Sequence, residues 1–88
     1  MHLKNLKQLR ELYLSDTKIT DVGLVNLNGL VNLEFLSLYG CGISDAGLVH
    51  LRGLPNLREL NLGRTKTTAR GVEDLRAGMR NLKIQWPE

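Results

Sequence analysis

Four scarcities narrow what this chain of 88 residues can be. It has one cysteine, Cys41, so an internal disulfide is excluded and with it a disulfide-stapled miniprotein. Its two histidines, His2 and His50, cannot complete a structural zinc site with that single thiol, and no metal or other cofactor is expected. Long apolar runs are missing too. The longest uncharged stretch, Val22 to Leu33, carries three asparagines and two glycines and is too short and polar to span a bilayer. Met1-His2-Leu3-Lys4 leads into no apolar signal core, so a soluble chain without membrane contact is expected; its compartment stays open, with the cytoplasm favoured by the single cysteine and the lack of a visible signal peptide. Aromatic residues are only 5% of the chain and prolines number two.

One residue type is in excess. Leucine fills 19 of the 88 positions, more than an ordinary mixed core uses, and this points to repetition. Offsetting the chain against itself by 24 residues aligns it nearly throughout. Leu12, Leu36, Leu60 and Ile84 fall in register, followed by Leu14, Leu38, Leu62 and Trp86. Thr17, Cys41 and Thr65 form the next column, then Ile19, Ile43 and Thr67, then Thr20, Ser44 and Thr68. Gly23, Gly47 and Gly71 precede Leu24, Leu48 and Val72, and these lead to Leu27, Leu51 and Leu75. The period falls within the 20–29 residues of a leucine-rich array.

Each unit contains two kinds of local pattern. In Glu11-Leu12-Tyr13-Leu14-Ser15 the inward leucines alternate with other residues, the period of a half-buried strand. Strands are therefore expected near 11–15, 35–39, 59–63 and 83–86. Between them, a Ser/Thr candidate N-cap leads into apolar residues spaced by three. This spacing predicts short helical segments near 21–28, 45–52 and 69–80. A single unit cannot bury its leucines, but stacked units share one core. The expected fold is α/β: a right-handed solenoid over residues 1–88, with a parallel sheet on the concave face and short helices on the convex face.

The unit Leu-x-x-Leu-x-Leu-x-x-Thr/Cys-x-Ile-Thr/Ser-Asp-x-Gly-Leu resembles the leucine-rich repeats of the ribonuclease-inhibitor-like superfamily. Ile19-Thr20-Asp21-Val22-Gly23-Leu24 and Ile43-Ser44-Asp45-Ala46-Gly47-Leu48 look like the cysteine-containing repeats of F-box leucine-rich proteins, and similar units occur in bacterial leucine-rich repeat proteins. The third unit departs from this pattern. Thr67 replaces the isoleucine, Ala69-Arg70 replaces Asp-x, and the helical segment gains a residue, placing Met79 and Leu82 at 25 after Leu54 and Leu57. With Trp86-Pro87 it reads as a C-terminal cap over about 68–88. No N-terminal cap is visible, so the chain reads as the C-terminal part of a longer array, or as one whose open strand edge pairs with a second copy.

Binding in such arrays uses strand side chains that point away from the core. Alternation gives Glu11, Phe35, Glu59 and Lys83 in one row. Tyr13, Ser37, Asn61 and Gln85 form the second, and Ser15, Tyr39, Gly63 and Pro87 the third. Three of the four aromatics, Tyr13, Phe35 and Tyr39, share this face, as protein-binding hot spots do. The competing explanation is that they stiffen their strands. Partner-binding candidates are therefore Glu11, Tyr13, Phe35, Ser37, Tyr39, Glu59, Asn61, Lys83 and Gln85.

Other candidate chemistry is weaker. Arg64, Lys66 and Arg70 concentrate positive charge in the second half but come with no nucleic-acid motif, so a solvated face is expected and no nucleic acid partner. Cys41 shares its column with Thr17 and Thr65, which marks it as structural, and no base or orienting group recurs beside it. Asp21 and Asp45 are expected to stabilise the helix N-termini next to them. The sequence points to a non-enzymatic protein-interaction module. The alternatives are a self-assembling structural repeat and the substrate-recognition part of a ubiquitin-ligase adaptor or bacterial effector.

Overall fold

The computed structural model describes residues 8–87. Leu3, Leu6 and His2 lie outside the described residues. Within them, strands and helical segments alternate: β1 (Glu11–Tyr13), a first 3₁₀ helix (Asp21–Leu27), β2 (Phe35–Ser37), a second 3₁₀ helix (Asp45–Gly53), β3 (Glu59–Asn61), α1 (Ala69–Gly78) and β4 (Lys83–Gln85). The four strands form one parallel sheet in the order β1-β2-β3-β4. Leu12 faces Leu36, Leu36 faces Leu60 and Leu60 faces Ile84, so neighbouring strands are paired at the repeat offset.

Backbone pairing extends past these three-residue strands. The Arg10 carbonyl accepts from Glu34 and Phe35 at one end, and the Tyr39 carbonyl accepts from Asp16 at 2.7 Å at the other. The same last rung recurs from Gly40 to Gly63 and from Arg64 to Pro87. Asp16, Gly40 and Arg64 all adopt positive φ, between 55° and 74°, which turns the chain out of each strand. Pro87 serves this ladder through its carbonyl, so its missing N–H costs nothing there.

One apolar cluster joins the strand and helix residues. Leu36, Leu38, Leu60 and Leu62 from the strand segments meet Leu24, Leu27, Leu51 and Leu75 from the helical ones, all essentially inaccessible. Leu30, Leu33, Leu54 and Leu57 bury the turns that lead back to the strands. Full burial of each such side chain contributes roughly 1.5–3 kcal/mol. Leu9, Leu12, Ile19, Met79, Ile84 and Trp86 are only partly buried.

The helical segments differ in both type and length. A 3₁₀ helix rises about 2.0 Å per residue, so seven residues cover roughly 14 Å. An α-helix rising about 1.5 Å per residue needs about ten to cover a similar distance. The first segment has seven residues, the second nine and α1 ten. The unit with the extra residue is the one that forms the α-helix, and β4 returns to register.

The capping chemistry corrects a sequence expectation. Neither Thr20 nor Ser44 caps its helix through the side chain; only Thr68 does, accepting from the Gly71 amide at 3.3 Å. The aspartates likewise reach across to the next unit. Asp21 accepts from the Ser44 amide at 2.8 Å and from its hydroxyl at 2.5 Å. Asp45 repeats this with the Thr68 amide at 2.8 Å and hydroxyl at 2.6 Å. A Cβ at Gly47 would fall on the Asp21 carboxylate, and one at Gly71 on that of Asp45. The Asp-x-Gly spacing is therefore a latch between neighbouring repeats: a carboxylate from one and a glycine that clears its path in the next. Ala69 occupies the aspartate position in the third unit.

Candidate functional site

In-register pairing lays the outward side chains out as a grid. Glu11, Phe35, Glu59 and Lys83 form one row across the sheet, and Tyr13, Ser37, Asn61 and Gln85 the next. Tyr13 is therefore a diagonal neighbour of Phe35, a spacing that large side chains bridge. Their ring centroids are 4.9 Å apart with the planes tilted by 43°, within the favourable range for an aromatic pair. Tyr13 is 65% exposed, while Phe35 and Tyr39 are half-buried.

The remaining candidates are not equivalent. Ser37 lies buried at 3% exposure, its hydroxyl 2.8 Å from that of Ser15, so it helps fix the floor of the face rather than project from it. Asn61 is half-buried and its Oδ1 accepts from the Gly63 amide at 2.9 Å, holding the turn after β3. Glu11, Glu59, Lys83 and Gln85 are exposed. The aromatics gather on β1 and β2. Lys83 and Gln85 stand on β4, two strands beyond β2, or about 10 Å at usual strand spacing.

Two clefts adjoin this face. One, of about 170 Å³, is lined by Phe35, Glu59, Leu60, Lys83, Ile84 and Gln85. The other, of about 630 Å³, lies where the chain returns to the sheet and includes Glu34, Pro55, Asn56, Arg58, Glu59, Asn81 and Lys83. The alternation rule passed over Glu34, Asn56, Arg58 and Asn81 because they precede the strands. A usable signal was the column Arg10, Glu34, Arg58, whose charge alternates from repeat to repeat. Arg10 and Glu34 approach to 3.8 Å as an exposed ion pair. A third cleft, of about 370 Å³, runs between the second 3₁₀ helix and α1 and includes Asp45, Arg52, Arg70 and Asp74.

Cys41 is buried, and its thiol donates to the Leu14 carbonyl at 2.8 Å. Thr17 and Thr65 donate to the carbonyls of Leu14 and Leu62 at 2.8 Å, each tying the turn after its own strand, whereas Cys41 reaches the first unit's turn. Thr67, buried in the column of Ile19 and Ile43, is satisfied by the Thr65 hydroxyl at 2.8 Å. Thr68's two hydrogen bonds, that of its hydroxyl first, hold the Asp45 carboxyl below the ordinary aspartate value. Among the described residues, no group of three or more His, Cys, Asp and Glu could hold a metal ion, and no helix is long and apolar enough to cross a membrane.

Stacked strand-and-helix units with a shared leucine core define a repeat protein of the α/β class. The family model described as Leucine Rich repeats (2 copies) matches residues 7–46 and again 31–76, and the chain belongs to the leucine-rich repeat proteins. Such repeats are generally protein–protein interaction modules and are typically non-enzymatic. No curated protein matches the chain.

Proposed function

We propose that this chain binds a protein partner through the outward face of its sheet, centred on Tyr13, Phe35 and Tyr39 and bordered by Glu11, Glu59 and Lys83. The observation that carries this reading is the Tyr13–Phe35 pair: two large rings in mutual contact, one of them 65% exposed. Aromatic side chains held this way offer a large contact area at low entropic cost. In this reading the sheet lines the concave side of a right-handed solenoid of the ribonuclease-inhibitor-like kind. The module then serves as an adaptor or effector without catalytic activity of its own.

The test is selection of binders from a random peptide library, followed by affinity measurement against Tyr13→Ala/Phe35→Ala. Loss of at least tenfold in affinity with an unchanged circular dichroism spectrum is expected. Equal binding by the double variant would sink the proposal.

Self-association through β1 is the second reading, because β1 is an edge strand of the sheet among the described residues. Head-to-tail stacking would, however, bring Ala69 to the place where a latch needs aspartate. Sedimentation at millimolar concentration tests this, and a strict monomer removes self-association.

A further inference from the structure

We infer that the partner's anchor on this face is a basic side chain, arginine or lysine, seated over Phe35 between Glu11 and Glu59. This inference rests on the protein-binding reading and adds the chemistry of the contact. Pairing places Phe35 directly between Glu11 on one neighbouring strand and Glu59 on the other. Both glutamates are exposed, and neither has an ion-pair partner among the described residues. At usual strand spacing their backbones stand about 10 Å apart across the ring.

An aromatic face carries negative electrostatic potential and attracts a cation, while repelling a carboxylate. Two flanking carboxylates act in the same sense and would repel an acidic anchor. The tilted Tyr13 ring adds a second aromatic wall beside the aliphatic stem of a long basic residue. The cleft of about 170 Å³ bounded by Phe35 and Glu59 opens directly from this row. Lys83 follows Glu59 in the same row and lines the β4 side of that cleft, whereas Glu11 and Glu59 are the residues paired directly beside Phe35. A purely apolar anchor would leave both carboxylates partly desolvated and unpaired, which is costly.

The experiment titrates capped pentapeptides, Gly-Gly-X-Gly-Gly with X as Arg, Lys, Leu or Glu, into the isotope-labelled full chain and follows backbone amide resonances. The Arg and Lys peptides should shift Phe35, Glu59 and Tyr13, weaken with added salt, and bind at least tenfold more weakly to Glu11→Gln/Glu59→Gln. Leu or Glu peptides binding as well as Arg, no shift with any peptide, or an unchanged affinity in the glutamine variant would overturn the inference. Library-selected peptides keep the two ideas separable. Binders that map to this face without a basic anchor contradict the inference alone, whereas binders that avoid the face contradict the protein-binding reading as well.

Discussion

Gly40 leaves β2 with φ of 74°, and a Cβ there would meet the Asp16 carboxylate. Left-handed backbone costs an L-residue roughly 1–2 kcal/mol, so Gly40→Ala should lower the melting temperature by several degrees in calorimetry. Cys41 makes the opposite case. Its column mates Thr17 and Thr65 bond the carbonyl three residues back, and Leu14's carbonyl keeps its bond from Thr17. Cys41→Thr should therefore change stability by less than about 1 kcal/mol in urea titration, whereas Cys41→Leu overpacks the site and should cost about 1–3 kcal/mol. Asp45 supplies a pH signature. Its native pKa lies below the unfolded value, so the unfolded chain binds more protons in acid and stability rises with pH across that range. Its contribution is complete above the ordinary aspartate range and is lost as pH falls below about 4, through the lowered native value. Asp45→Asn should flatten that part of the stability–pH curve. A curve unchanged in the variant would remove Asp45 from the latch.

Between elements, the decisive coupling is Asp21 with Gly47. Gly47→Ala should destabilise by roughly 1–3 kcal/mol, because the new methyl displaces the carboxylate from Ser44. In Asp21→Ala/Gly47→Ala the clash has no partner, so the double variant should lose less stability than the sum of the two single losses in a double-mutant cycle. Additive losses would contradict the latch. This device was partly legible: the Asp-x-Gly recurrence is plain in Asp21-Val22-Gly23 and Asp45-Ala46-Gly47. Its purpose was not, because the carboxylate acts on a residue 23 positions away while local rules assign it to the adjacent helix end. Strand register was legible because leucines twenty-four apart can only be buried together. Helix type was hidden, since apolar spacing by three suits a 3₁₀ or an α segment equally, and the nine-residue second 3₁₀ helix is nearly as long as α1.

For the whole molecule, alternation alone assigned Glu11, Tyr13, Phe35 and Glu59 to one face; Glu11, Tyr13 and Glu59 are exposed there and Phe35 is half-buried. The same rule could not tell that Ser37 is buried, because its cover comes from the tertiary arrangement rather than from its position in the strand. The clefts were equally out of reach, since Pro55, Asn56 and Asn81 meet Glu59 and Lys83 only after the chain has turned back. The most direct test of a binding sheet is to map a library-selected peptide by amide resonance perturbation on the full chain. The expected result is a contiguous footprint on Glu11, Tyr13, Phe35, Tyr39 and Glu59. A footprint confined to the helical segments, around Val49, Arg52 and Asp74, would contradict it.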